Sequence, residues 1–514
     1  MWGWTDKKSQ SHYVITGLRH GIAFYDVTEG AKPKLIGKYL NPLASRPDDA
    51  QRRPRCAPSW WKDLKIIKDR YLLLASEAAL FGIRVYDLYN LRKGGAWVTG
   101  ADEITEDAVY GEVSTIHNMV VSEERGFVYA VGSHSGGRHP ECEGGFHVVD
   151  FKDPIKPKFV SCQTKFGYIH DCECVVYRGQ DPNYYGKEVC FCGAPACKGQ
   201  EGEGGLGIFD MENKQDIKMI SCTGYNQSSF PHQGWLDDLH SLFFFSDEGD
   251  EGSYKIHTTT MIFDVSDLAN PKLVTQWANP ITTSIDHNLF YYREMLFESN
   301  YESGLRVLKL NRNATKPQDW LQEVAFFDIF PPVTTVTTFN GSWGAWPFFG
   351  GGKVVITTER EGMFILQLQD SVVNQMKDLP NKNGTGDSSE SGTDGNALSP
   401  PVFTAVITIG ITAIVAIITV GLVISRLYWK GRNSLYDIAM QESEMDIHDD
   451  DDDDALVLSN DVGDQDDDQY GEERALQNMA GNMHSLVEGD GEGHESESGP
   501  HDAQDTPLQE EEEG

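Results

Sequence analysis

The chain has 514 residues, of which 39% are apolar, 24% charged and 11% aromatic. That length allows about two to four compact units, and that composition excludes a wholly disordered chain. The net charge of -36 is uneven: residues 426–514 carry 28 Asp and Glu against 4 Lys and Arg. An acidic chain without a basic cluster excludes nucleic acid as a partner, because phosphates need Lys and Arg.

The first six residues, Met1 to Asp6, hold no apolar core of a secretion signal. From there a pattern recurs: Gly, four residues rich in β-formers, then Asp. It runs from Gly21 to Asp26, Gly82 to Asp87, Gly145 to Asp150 and Gly205 to Asp210. Weaker copies begin at Thr259, Gly304 and Gly362, and the intervals between starts are 61, 63, 60, 54, 45 and 58 residues. Each unit offers about four short strands separated by Asp, Pro and Asn turns, without helical periodicity. Seven such units predict an all-β, seven-bladed β-propeller over residues 1–370. The seventh unit lacks its outermost strand. A strand from ahead of the first unit would close the ring, so an incomplete N-terminus is the expectation for both that strand and the missing signal.

Four histidines stand just ahead of the first strand of successive units: His117, His170, His232 and His287. Asp63 is assigned the comparable place in the second unit. Propeller first strands line the central channel, so these side chains can converge on a transition metal such as Zn, Cu, Fe or Ni, with Asp171 and Asp286 as ligands or their partners. The competing expectation is that each imidazole hydrogen-bonds the next unit and only closes the repeat. The acidic segment 246–252 lacks the spacing of an EF-hand and is expected as a solvated loop.

All nine cysteines lie between Cys56 and Cys222. Cys172, Cys174, Cys190, Cys192 and Cys197 lack the usual zinc spacing, and an extracellular setting favours disulfides. Cys174 and Cys190 flank a hairpin and can pair across it. Cys162 and Cys222 each lie twelve residues past their unit's Asp, on equivalent outer strands. Glycosylation sequons stand at Asn226, Asn313, Asn340 and Asn383. The glycine-rich stretch 201–207 is expected as a loop, and no nucleophile elbow, phosphate loop or kinase signature is present.

Residues 371–400 are a polar stalk rich in Asn, Gly and Ser. Residues 401–425 contain no charge and are long enough, at about 1.5 Å per residue, to cross a hydrocarbon core of about 30 Å as a helix. Arg426, Lys430 and Arg432 follow it, which places the N-terminal side outside and the tail in the cytoplasm. Residues 426–514 include an acidic run at 449–454 and are expected to be disordered.

The motifs Trp2-Gly-Trp-Thr-Asp, His117-Asn-Met-Val-Val, His232-Gln-Gly-Trp, Asp286-His-Asn-Leu and Phe339-Asn-Gly-Ser-Trp resemble the LVIVD-repeat proteins, more narrowly the choice-of-anchor B group. The resemblance spans residues 1–368. It implies a surface-tethered propeller with a variable C-terminal anchor and brings no established activity. Two functions therefore remain. One is a cell-surface binding, adhesion or receptor module with an extracellular protein or glycan ligand and an unidentified cytoplasmic partner. The other is an ectoenzyme using a histidine-bound metal at the channel mouth.

Overall fold

The computed structural model describes residues 1–376 apart from 20, 30–31, 41–58, 94–105, 135–136, 200–201 and 332–336. Among these residues, seven antiparallel sheets follow one another along the chain, six of four strands and one of three. Blade one starts at Trp2–Thr5 and blade two at Lys62–Ile67. Blades three to seven start at Asn118–Ser122, Asp171–Val176, Pro231–Leu236, Asn288–Tyr292 and Ser342–Trp346. Within every sheet the strands pair in chain order, innermost to outermost. The seven-bladed propeller expected from the repeat is present. Blade seven has three strands among the described residues, ending with Met363–Gln367.

Burial explains the strand sequences. The second strands Tyr71–Ser76, Leu242–Asp247 and Met295–Ser299 are buried along nearly their whole length, because a neighbouring blade covers each face. They read as continuous apolar runs, as strands covered on both sides do. The outer strands Lys272–Ala278 and Leu321–Phe327 mix exposed and part-buried positions and carry polar residues. Seven apolar clusters fill the seven spaces between blades. The last joins Val14 and Val27 of blade one to Phe349 and Val355 of blade seven, so the ring closes by packing.

The repeat motif has a backbone cause at both ends. A Cβ on Gly145 would stand 2.2 Å from the Gln163 carbonyl oxygen, and one on Gly205 would stand 2.2 Å from that of Thr223. No side chain fits where the third strand begins against the end of the fourth. The closing Asp of the motif turns the chain: the carboxylates of Asp26, Asp150, Asp210 and Asp264 accept the N–H two residues on, at 2.8–3.0 Å.

Four disulfides join Cys142–Cys162, Cys172–Cys192, Cys174–Cys190 and Cys197–Cys222. Cys174 and Cys190 pair across their hairpin as the spacing suggests. Cys162 and Cys222 occupy matching outer strands but bond to Cys142 and Cys197 rather than to each other. The glycine-rich stretch is corrected: Gly202–Asp210 is one strand, paired with Glu188–Gly199 through an irregularity between Ala194 and Lys198. Asn226 and Asn313 are exposed, whereas Asn340 is half-buried and the Ser342 of its sequon is fully buried. Asn383, the stalk, the apolar run 401–425 and the acidic tail lie outside the described residues. Among the described residues no helix is long and apolar enough to cross a membrane.

Blades four and five meet where Phe243 stacks on Phe191, ring centroids 5.5 Å apart, with both rings fully buried. Phe243→Ala is expected to cost about 3–5 kcal/mol of stability in denaturant unfolding of the whole chain. A loss below about 1 kcal/mol would mean that this interface is not closely packed.

Candidate metal centre

First strands of neighbouring blades do not pair, so each presents backbone groups along its inner edge that need partners. Side chains of the adjacent blade supply them. Gln233 Oε1 accepts the Leu289 N–H at 2.9 Å, Glu173 Oε2 accepts the Leu236 N–H at 2.6 Å, and Asp63 Oδ2 accepts the Met119 N–H at 2.7 Å. Asn118 and Asn288 donate to the carbonyls of His170 and Trp343.

The histidines join this scheme through one nitrogen each. The Nδ1 of His170 lies 3.3 Å from the His232 carbonyl oxygen, that of His232 lies 3.2 Å from the His287 carbonyl, and that of His287 lies 2.8 Å from the Trp343 carbonyl. A carbonyl only accepts, so each Nδ1 carries the proton and each Nε2 keeps its lone pair. Local backbone makes room for this. A Cβ on Gly193 would stand 2.2 Å from the His232 carbonyl, and the strand pairing shifts register between Pro231 and Gly234, around His232.

The rings form a ladder, with centroids 4.5 Å apart from His117 to His170, 4.2 Å to His232 and 4.5 Å to His287. Burial holds His170 and His232 well below the usual imidazole range, helped by the neighbouring rings, and it takes His287 down to about 3. Three neutral imidazoles result. His117 differs. Burial opposes its charge, but Glu77, whose Oε1 lies 2.5 Å from Nδ1, carries it above the usual range. Burial likewise opposes ionisation of Glu77, yet His117 and His134 together hold it down to about 2.

Glu248 completes the set. It follows the second strand of blade five, its Oε2 lies 3.4 Å from His232 Nε2, and its Oε1 lies 3.6 Å from His287 Nε2. Tyr301 donates to its Oε1 at 2.5 Å. Burial lifts Glu248 to about 7. Ligand atoms of His170, His232 and Glu248 all lie within 4.8 Å of one another. With Trp61, Lys62 and Trp343 the histidines enclose a cavity of about 30 Å³, room for one ion or a water.

The three acids assigned to the site from spacing stand elsewhere. Lys62, not Asp63, holds the histidine position in blade two, since Lys62 pairs with Ser76 at the register where His117 meets the strand end. Asp63 lies one residue on, ion-paired to Lys65 at 2.8 Å. Asp171 matches Asp63, accepts the Cys172 N–H and is raised to about 6, chiefly by burial. Asp286 turns away to Glu251 and Asp250.

That last grouping overturns the solvated-loop expectation. Asp247, Asp250, Glu251 and Asp286 are all at most 3% exposed. Asp247 is well held, by Tyr225 Oη at 2.6 Å and three backbone N–H groups. Both carboxylate oxygens of Glu251 and of Asp286 are buried without a hydrogen-bonded partner. Burial, with mutual repulsion second, raises Asp250, Glu251 and Asp286 above the usual carboxylate range. The short helix Asp250–Tyr254 tucks these acids inward.

No protein-family model matches the chain, and no curated protein matches it. Among solved structures it is similar to the β-propeller domain of Cps50 (Swd1) from Myceliophteria thermophila, at 11% identity over 71% of this chain and 96% of that one, with a TM-score of 0.44. It is also similar to the computationally designed Ika8 protein, at 11% identity over 69% and 93%, with a TM-score of 0.38.

A raised folded-state pKa means that the native state holds a proton the unfolded chain has released, so stability falls as pH rises above about 4.3. Glu251→Gln removes that burden. Its stability relative to the parent is expected to climb by up to about 1.4 kcal/mol per pH unit between pH 5 and 8, read from melting curves. A pH-independent difference would show that Glu251 is ionised in the native state.

Proposed function

We propose that this chain is a single-pass protein of the secretory route whose extracellular propeller binds its ligand at the histidine-lined mouth, through a transition metal ion held by His170, His232 and Glu248. The observation that carries the reading is the proton placement. The Nδ1 of His170, His232 and His287 is committed to the next blade, and the Nε2 of His232 and of His287 lies 3.4 and 3.6 Å from Glu248. Fixing the far nitrogen on a backbone carbonyl is how proteins orient metal-binding imidazoles. Two imidazoles and a carboxylate suit Zn, Cu, Fe or Ni and leave a coordination position for water or a ligand. An ion bound there would supply Lewis-acid polarisation of that ligand. The charge-free run 401–425 and the basic residues after it support the anchor and its orientation. The motifs given above support placing the chain among the choice-of-anchor B, LVIVD-repeat proteins.

Full-length protein purified in detergent is expected to carry about one equivalent of Zn, Cu, Fe or Ni, lost in His170→Ala and His232→Ala and kept in His12→Ala. If the wild type carries none and its melting point ignores chelators, the imidazoles only close the ring. The pH dependence follows from Glu248, raised to about 7, rather than from the depressed imidazoles. The ion must displace a carboxyl proton below that pH, so affinity is expected to fall up to tenfold per unit below about 7. Flat affinity from pH 7 to 5 would remove Glu248 from the ligand set.

Protease added outside intact cells is expected to remove the propeller and spare an epitope tag at Gly514. Loss of the tag before permeabilisation would reverse the orientation.

A further inference from the structure

The Cys142–Cys162 disulfide lies beside two histidines and a glutamate, away from the channel mouth. Cys142 closes the turn Pro140–Cys142, and Cys162 is the cross-strand partner of His147. Ligand atoms of Cys142, His147 and Cys162 lie within 4.8 Å of one another, as do those of His139, Glu141 and Cys162. Among the described residues, none of the other six half-cystines belongs to such a group.

His147 is fully buried, and its two nitrogens are treated unequally. Nε2 sits 2.7 Å from the Tyr110 hydroxyl, while Nδ1 is buried with no hydrogen-bonded partner. A buried polar atom left alone is rare and calls for a ligand or a cause. His139 lies nearer the surface with both nitrogens engaged, Nε2 3.1 Å from Glu112 and Nδ1 3.2 Å from the exposed Glu141, which gives way when that Nδ1 takes a metal. The two rings are 5.7 Å apart by centroid. Each imidazole thus has its far nitrogen held by an oxygen, the outer partnership typical of zinc-binding histidines. The sequence packs three of the four residues into His139-x2-Cys142-x4-His147, a spacing of the length zinc ligand pairs use.

We infer that reduction of the Cys142–Cys162 disulfide turns this face of blade three into a zinc site built from both sulfurs, His147 and His139. A dithiol supplies the two electrons and two protons that split the S–S bond into two thiols, and is itself closed to a disulfide. Zinc then takes the two sulfurs as thiolates, and their protons leave to solvent. Two thiolates and two imidazoles form a closed tetrahedral set that selects zinc. In the oxidised chain the same cysteines tie the turn to the outer strand. Cys162 is only part-buried and Glu141 is exposed, so a reductant and an ion can reach the sulfur.

Cobalt(II) reports such a site by its tetrahedral visible bands and its thiolate charge-transfer band. Full-length protein in detergent, its channel mouth first loaded with zinc and the excess zinc removed, is expected to show neither when oxidised. After dithiol treatment it is expected to show both, saturating at one equivalent that zinc displaces. The double variant Cys142→Ser, Cys162→Ser is expected to abolish the bands, and His147→Ala or the less buried His139→Ala to weaken binding at least tenfold. The double variant Cys174→Ser, Cys190→Ser is expected to keep them. The inference is overturned if reduced wild type gives no thiolate band. It is equally overturned if the band survives loss of Cys142 and Cys162, or if both histidine variants bind as tightly as the parent.

Discussion

The inner edges of the seven first strands set the terms for everything at the channel mouth. Those edges carry N–H and C=O groups that no neighbouring strand pairs, and leaving them bare inside the ring is costly. The chain answers with side chains that reach from one blade to the backbone of the next. Asn, Gln, Asp and Glu do this with one polar group each. Histidine does it with Nδ1 and has a second nitrogen left over. A residue chosen to close the ring thereby points a lone pair into the channel. Ring closure and metal binding are two ends of one imidazole, which is why the two expectations drawn from the histidine series do not exclude each other.

Charge around the ladder follows from burial. Three imidazoles are kept neutral by desolvation, and only in His117 does a carboxylate, Glu77, outweigh burial and favour the charged form. Asp250, Glu251 and Asp286 are buried together and repel one another. Buried carboxyls without a counter-charge keep their protons. The mouth therefore offers neutral nitrogen donors beside Glu248, the carboxyl that a bound ion would deprotonate.

The propeller was legible because its repeat has local causes. The motif's Gly answers to a carbonyl 2.2 Å from where a Cβ would sit, and its Asp to a turn two residues long, so both recur at fixed spacing. The histidine positions were legible for the same reason. Asp63 was misplaced by one residue, because spacing alone does not settle register and blade two has Lys62 where blades three to six have His. Glu248 and Glu77 went unseen because they come from different strands than the histidines they touch. A signal did exist: each directly follows a second strand, after Tyr71–Ser76 and Leu242–Asp247. The acidic segment 246–252 reads as solvated by composition. Its inward turn brings it against Asp286, which comes from the next blade and leaves no local trace.

The most direct measurement is the nitrogen-15 NMR spectrum of labelled histidine rings in metal-free, full-length protein. His170, His232 and His287 are predicted to be neutral, protonated at Nδ1 with Nε2 bare, and to stay so from pH 8 to 5, while His117 titrates above them. Protons on Nε2 of those three rings, or titration of them near pH 6.5, would contradict the claim that ring closure aims their free nitrogens into the channel.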